Sequence, residues 1–477
     1  MQFNSFVFIL LFLPTTVLAY YLANRIKPAI GKVVIIVASV IFYSCSNWKL
    51  SSILGISLII NLGFSMLIQK FRQFSKPLFI APVVINVGML LFFKYTNFFI
   101  TAVNQHSCME WSTLDLIQPV GISFFTFQQI AYLVALYKQE IKKLSIIDYL
   151  AYILYFPKIL MGPLMDPVDF SNQFNNENLK MPNPENLASG IKIFSLGLFK
   201  KVMIADIFAR GVSWGFSNFE SATAMDWVLI TLFYTLEIYF DFSGYSDMAV
   251  GTSQMLNITL PINFNSPYKA LSIRDFWKRW HISLTKFFTK YVYIPLGGSK
   301  KGKLFTYLNT MIVFCISGLW HGANFTFILW GVLHGIFMIL DRIFDKYENK
   351  VFKPVRWFLT FCTTNILWLL FRADTISQWE MIIMKVLNIK DMVISEGLID
   401  CFSLPEDIFF QCLFHLNCMW PLRVIYVAFA LIICLIPKNN YTTRNRLSIS
   451  NMIIAAIAFV WGFICLSSES VFVYFNF

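Results

Sequence analysis

Long apolar runs along the whole chain most constrain what this sequence can fold into. An α-helix rises 1.5 Å per residue, so about 20 apolar residues cross the roughly 30 Å core of a bilayer. Such runs occur at about 6–23, 33–48, 51–69, 78–100, 117–137, 188–213, 226–250, 305–320, 324–341, 355–371, 422–436 and 449–466. Only 13% of residues carry charge, against about 25% in soluble domains. We therefore expect an all-α polytopic membrane protein with about 11–12 transmembrane helices.

Basic residues after alternate runs predict one orientation, because lysine and arginine favour cytoplasmic ends. They are Arg25, Lys27, Lys32, Lys70, Arg72, Lys76, Lys138, Lys142 and Lys143. This orientation places both termini and the loop at about 373–420 outside the cytoplasm. The first run lacks a basic leader and a small-residue cleavage site, so we interpret it as an anchor rather than a signal peptide.

Two segments differ from the apolar pattern. The stretch Tyr152–Asp166 is interrupted by Pro157, Gly162 and Pro163, which predicts a re-entrant or broken helix. The stretch 263–303 is amphipathic and basic, which predicts an interfacial segment. We find no repeat or linker, so the chain is predicted to be one membrane domain, 1–477.

Net charge and cysteine spacing limit the ligands. The charge of +12 favours contact with anionic lipid or an anionic donor, and in a membrane protein nucleic acid is not an expected partner. The nine cysteines lack metal-ligand spacing, so no metal site is predicted. A disulfide among Cys401, Cys412 and Cys418 remains open.

Ionisable residues inside apolar runs are costly and usually face a cavity or a partner. Glu237 and Asp241 are four apart and share a helix face. They would line a tunnel or pair with a buried arginine, or they would cap a helix end at the interface.

The basic segment carries several cations beside aromatic residues. Arg274, Lys278, Arg279 and Trp280 are candidates to bind the phosphates of a cytoplasmic donor such as a coenzyme A thioester. The alternative is a helix that only binds anionic lipid.

Histidines stand between closely spaced glycines. Gly318 and Gly322 flank the turn that ends at His321, and Gly331 and Gly335 flank His334. Small residues at this spacing let helices approach closely. We expect His334 to be a core residue, whereas His321 can act as a general base at physiological pH.

The ordered motifs resemble those of the membrane-bound O-acyltransferases, and specifically the bacterial branch with alginate and peptidoglycan O-acetyltransferases. The resemblance rests on Pro119–Tyr132, Tyr239–Met248, Asp275–Leu284, Tyr291–Gly298, Leu319–Ala323 and Phe371–Ala373. One departure is Gly162-Pro-Leu-Met-Asp166, where relatives often place a basic residue after the Gly-Pro pair.

The resemblance implies a ring of helices around a central tunnel. It makes His321, within the catalytic-histidine helices 304–341, the catalytic histidine, and His281 a second functional one. We place Glu237, Asp241, Trp320 and Asn324 along that tunnel. The extracytoplasmic tail 467–477 ends in Phe472–Phe477, which resembles a motif that passes an acyl group through a tyrosine, here Tyr474; the alternative is an aromatic anchor for the last helix.

The implied function is transfer of an acetyl group from cytoplasmic acetyl-CoA to an exported polysaccharide, with peptidoglycan as first expectation and no permanently bound cofactor. Alginate-like O-acetylation and D-alanyl transfer to teichoic acid are alternatives. The implied location is the bacterial cytoplasmic membrane, with an extracytoplasmic SGNH/GDSL-like acyltransferase as partner. A transporter is the rival class, although we find no inverted repeats.

Overall fold

The computed structural model describes residues 1–45, 48–107, 110–141, 144–388, 392–402, 420–437, 439–466 and 472. Regular structure within these ranges is helical. The first ten α-helices are α1 Leu13–Ile26, α2 Pro28–Ser44, α3 Trp48–Lys70, α4 Ser75–His106, α5 Ile122–Tyr137, α6 Ile146–Leu154, α7 Phe156–Ile159, α8 Pro167–Phe174, α9 Pro184–Phe199 and α10 Asp206–Ser217. They are followed by α11 Ala224–Met255, α12 Ile273–Trp277, α13 Ile282–Phe288, α14 Lys303–His321, α15 Phe325–Ile343, α16 Lys353–Arg372, α17 Ile376–Leu387, α18 Glu396–Asp400, α19 Trp420–Leu435 and α20 Ile449–Ile464.

The described ranges also contain shorter helical turns. Three of these are π-helical, Phe8–Phe12, Lys200–Ala205 and Thr289–Tyr293. Four are 3₁₀-helical, Arg72–Phe74, Glu177–Leu179, Pro267–Lys269 and Asp345–Lys350.

Several helices have the length and composition needed to cross a bilayer. Among the described residues, five helical segments satisfy both criteria by themselves, and they are Phe8–Ile26, Leu50–Lys70, Arg72–Gln105, Lys303–His321 and Phe325–Ile343. Shorter apolar helices add Pro28–Ser44, Ile122–Tyr137, Arg423–Leu435 and Ile449–Ile464. The expectation of an all-α polytopic membrane protein is therefore confirmed, while the number of spans stays a prediction.

The chain divides into two compact units. The first contains Met1–Gly197, Tyr245–Ile262 and Arg444–Phe459, and the second contains Leu198–Gly244, Asn263–Thr443 and Val460–Phe477. Helix α11 contributes residues to both.

In the first unit, polar side chains are paired inside the helical layer. The amides of Asn61 and Asn86 donate to each other at 2.7 and 3.1 Å, and Gln129 donates to Ser57 Oγ at 3.0 Å. Buried polar groups need such partners because lipid supplies none. These pairs connect α3 to α4 and to α5.

The predicted helix break in the first unit is confirmed. Helix α6 ends at Leu154, α7 lasts only four residues, and an irregular segment follows. Gly162 packs so closely on the preceding turn that a Cβ there would lie 2.4 Å from the carbonyl oxygen of Pro157. Only glycine fits this approach.

In the second unit, α14 and α15 form a tightly packed pair around two glycines. The two glycines are Gly318 on α14 and Gly331 on α15. A Cβ added to Gly318 would lie only 3.3 Å from the Gly331 Cα and 2.4 Å from the Phe327 carbonyl oxygen, so the two helix backbones are in contact here. This close approach confirms the expectation from the glycine spacing. It fixes the end of α14, where His321 lies.

The basic segment does not form one continuous helix. It is divided into α12 and α13, and His281 at the break has φ 42° and ψ 52°. This is the left-handed region, which non-glycine residues rarely adopt. The backbone therefore turns at the histidine and places it at a junction instead of on a helix face.

We predict that Gly318→Ala destabilises the protein by about 1–3 kcal/mol, because the added methyl group overlaps the backbone of α15. Thermal unfolding of the purified protein in detergent measures the change. Gly63→Ala is the matched control, since no atom lies within 4 Å of the place that a Cβ would occupy there. Equal melting temperatures for the two variants would contradict the packing argument.

Candidate active site

Two histidines in the second unit lie against the same indole ring. The ring centroid of Trp320 is 4.6 Å from that of His321 and 6.2 Å from that of His281. Helix α14 carries both Trp320 and His321, whereas His281 comes from the α12–α13 break. The structure thus brings together the two histidines that the motifs singled out, although they are 40 residues apart in sequence.

His321 occupies the last position of α14 and is 5% exposed. The rings of Trp330 and Phe371 also pack on it, at centroid distances of 5.1 and 4.8 Å. Aromatic rings on three sides limit the orientations of the imidazole and exclude water from it. A base held this way can meet a reacting hydroxyl in a defined geometry.

His281 is 1% exposed, and its ring nitrogens have no hydrogen-bond partner among the residues that the structure describes. Its backbone position is fixed, because Ile282 N donates to Asn263 O at 2.9 Å and Ser283 Oγ donates to Asn263 Oδ1 at 2.6 Å. His281 lies outside the long apolar helices, and burial lowers its pKa to about 3. The imidazole is therefore neutral at physiological pH, with one N–H left to donate.

A third histidine lies behind this pair. His334 is fully buried, and its Nδ1 accepts a hydrogen bond from Trp277 Nε1 at 3.2 Å. Its ring is 4.7 Å from that of Trp330, which in turn contacts His321. The expectation that His334 is a core residue is confirmed, and its hydrogen bond to Trp277 holds one wall of the site.

A buried ion-pair cluster holds the predicted tunnel residue Asp241. The Lys201 ammonium is 2.7 Å from Asp241 Oδ1 and 2.8 Å from Asp206 Oδ1. Lys201 belongs to the π-helical turn Lys200–Ala205 between α9 and α10. Such turns are often found at functional sites, and here the turn directs a cation toward two carboxylates.

Glu237 lies on the same face of α11 as Asp241, as predicted. It is 6% exposed, and its Oε2 has no hydrogen-bond partner within the described part of the chain. Both carboxylates lie in the middle of α11, so the alternative that they cap a helix end is wrong. Asp241 pairs with a lysine, Lys201, and Arg372 interacts electrostatically with Glu237.

The three cations that were predicted to bind the donor differ in their ion pairs and in their exposure. Arg274 forms ion pairs with Asp345 and, at 3.3 Å, with Asp341. Arg279 pairs with Asp275 at 2.8 Å. Lys278 is exposed. Both arginines are therefore already neutralised, and Lys278 is the member whose charge faces outward.

Two further candidate residues, Trp280 and Asn324, make contacts that support the structure around the site. Trp280 is 1% exposed, and its ring is 4.7 Å from that of Trp368. Asn324 caps α15 by accepting from Thr326 N at 3.1 Å, and its Nδ2 donates to the Asp374 carbonyl at 2.9 Å. Trp280 thus packs in an aromatic core, and Asn324 ties the turn after His321 to the end of α16.

Some predictions fall on residues that the structure does not describe. Tyr474, Cys412 and Cys418 lie outside the described residues. Cys401 has a free thiol that donates to the Gly397 carbonyl at 3.2 Å.

Sequence reasoning did not select Lys201, which the structure places at the centre of the charged cluster. The run 188–213 is predicted as an apolar span in spite of Lys201 and Asp206 within it. Charged residues inside such a span normally face a partner. If the energetic cost of a charge inside an apolar span is considered for this run as well as for α11, it predicts that Lys201 pairs with a carboxylate.

Comparison with known proteins gives a family and several relatives. The sequence model of the membrane-bound O-acyltransferase family matches residues 94–373. A peptidoglycan O-acetyltransferase of Helicobacter pylori is 35% identical over 100% of this chain and 97% of its own length. A probable alginate O-acetylase of Pseudomonas aeruginosa is 34% identical, covering 80% of this chain and 74% of its own. A teichoic acid D-alanyltransferase of Streptococcus thermophilus is 27% identical over 56% of this chain and 71% of its own.

We predict that Lys201→Met destabilises the protein by about 3–5 kcal/mol, because it removes the ammonium that compensates the buried Asp241 carboxylate. Adding Asp241→Asn should restore part of the loss, since the second change removes that charge. Unfolding in detergent measures both variants, with the exposed Lys300→Met as control. A double variant less stable than Lys201→Met would show that the pair is not the source of the effect.

Proposed function

The chain belongs to the membrane-bound O-acyltransferase family, and on that premise we propose that it moves an acetyl group from acetyl-CoA to peptidoglycan. The enzyme class follows from the family, and membership of an acyltransferase family argues against the alternative that the chain is a transporter. The site observation that carries the proposal is the placement of His321 and His281 against one tryptophan in a buried pocket of aromatic rings.

In the proposed reaction, His321 takes the proton of the accepting hydroxyl, and the hydroxyl oxygen attacks the carbonyl carbon of the thioester. A new C–O bond forms, and the carbonyl oxygen becomes an oxyanion. The C–S bond then breaks, and the proton held by His321 passes to the departing thiolate of coenzyme A. A hydroxyl needs this help because even tyrosine, with a pKa near 10, is a poor nucleophile at pH 7.

His281 is proposed to donate its N–H to the oxyanion. The imidazole is neutral and buried, and its nitrogens have no partner within the described residues. A donor that is already oriented and desolvated stabilises developing charge more than water does, by roughly 3 kcal/mol in other enzymes.

The binding site of the acetyl donor is proposed from the charge of the basic segment, and the first acceptor of the acetyl group is proposed from the C-terminal tail. Lys278, exposed on the basic segment, is available for the phosphates of a cytoplasmic acetyl-CoA. Arg274 and Arg279 would support the segment through their carboxylate partners. Tyr474 is proposed to accept the acetyl group on the extracytoplasmic side, as an acyl-tyrosine.

Peptidoglycan is the proposed acceptor because the relative that bears that activity in its name is similar end to end. An alginate-like polysaccharide is the second candidate, supported by relatives that match a smaller share of this chain. In either case an extracytoplasmic SGNH/GDSL-like transferase would carry the group from Tyr474 to the sugar. The protein would reside in the bacterial cytoplasmic membrane.

His321→Ala is expected to lower acetyl transfer from labelled acetyl-CoA by about 10²–10⁴-fold, the usual contribution of a general base. The assay uses membranes with equal amounts of inserted protein. His106→Ala, a histidine that no motif includes, is the control and should retain activity. Transfer by His321→Ala at the parental rate would remove this residue from the mechanism.

Tyr474→Phe is expected to abolish the label that remains on the purified chain after incubation with labelled acetyl-CoA, because phenylalanine has no hydroxyl to acylate. Mass analysis of peptidoglycan and secreted glycans from the same cells should show the matching loss of O-acetyl groups. Unchanged glycan acetylation in the variant would instead favour direct transfer to the polymer.

A further inference from the structure

The end of the described chain contacts the buried ion-pair cluster. The ring of Phe472 is fully buried, and the Lys201 ammonium lies 4.5 Å from its centroid. The same ammonium is paired with Asp241 and Asp206. Phe472 therefore covers a cation whose position is already fixed by two carboxylates.

The last helix reaches the same part of the second unit. Its Trp461 ring packs edge-on against Phe199, with centroids 6.3 Å apart. A Cβ added to Gly462 would lie 3.4 Å from Leu198 Cγ, within van der Waals range. These contacts bring the end of α20 against the residues that immediately precede Lys201.

The contact with Lys201 is well suited to hold a chain end. Terminal residues are poorly ordered unless they are tied down. An ammonium over an aromatic face is attracted by the ring quadrupole, and the attraction is strongest where both groups are shielded from water. Lys201 and Phe472 are both buried, so their contact can anchor the tail in a way that an exposed contact could not.

We propose that the Lys201 ammonium and the Phe472 ring form the anchor that positions the C-terminal tail for acylation. The inference rests on the proposed acyl-tyrosine. Tyr474 follows Phe472 by two residues, and two residues of chain reach at most about 7 Å. Phe472 and Lys201 are thus positioning residues, and they act through Tyr474 rather than on the acetyl group.

A plain apolar contact makes a different prediction from a cation–π contact. Ring fluorination keeps nearly the size of phenylalanine but weakens the negative potential of its face. A cation–π anchor is therefore expected to weaken stepwise with each added fluorine, whereas apolar packing is expected to stay nearly unchanged.

The test uses the full-length protein in lipid nanodiscs, with phenylalanine at 472 replaced by its mono-, di- and trifluorinated analogues. Hydrogen exchange of the peptide 466–477 reports anchoring, and label on Tyr474 reports acylation. We expect exchange to accelerate and labelling to fall in step with fluorination, up to roughly 30-fold for a shielded contact. Phe472→Leu should resemble the trifluorinated protein.

The control is the same fluorinated series at Phe429, which is 42% exposed on α19 and should change neither readout. Exchange that is indifferent to fluorination at 472 would overturn the anchor. If exchange responds but Tyr474→Phe retains its label, the anchor stands while the acyl-tyrosine fails. If exchange responds and label on Tyr474 does not, positioning for acylation is refuted.

Discussion

The absence of water in the bilayer core is the constraint on which the rest of this structure depends. Every buried polar group must find its partner within the protein. Many side chains satisfy the rule locally, as Ser39 does by donating to the Ile35 carbonyl at 2.7 Å. Others pair between helices, as Asn61 and Asn86 do. Within the described residues, the His281 nitrogens and Glu237 Oε2 have no such partner, and an unsatisfied buried group of this kind calls for an explanation in function or in ordered water.

Features set by local periodicity could be predicted from the sequence. The long apolar runs predict the helices α3, α4, α14 and α15, and the glycine spacing predicts the close approach at Gly318 and Gly331. The interruption by Pro157 and Gly162 predicts the broken helix. Each of these depends on residues that are neighbours in sequence, so the chain itself carries the signal.

Features set by contacts between distant residues could not be predicted in the same way. The left-handed turn at His281 divides a segment whose pattern favours one amphipathic helix, because tertiary packing of Trp280 and Trp277 outweighs local propensity. Arg274 of that segment looked available for a phosphate ligand, yet its partners Asp341 and Asp345 come from α15 and the turn after it. Only the resemblance made His321 and His281 a pair before their common contact with Trp320 was seen.

The distribution of charge around α11 also bears on where an anionic donor could bind. Lys201 is paired with Asp241 and Asp206, and Glu237 adds a carboxylate near Arg372. Because carboxylates outnumber the cations in this cluster, it offers no uncompensated positive charge to a phosphate ligand. Lys278, on the segment that carries His281, is by contrast an exposed cation. Because charge attracts a ligand most where it is not already neutralised, an anionic donor is expected at this basic segment rather than at the cluster beside α11.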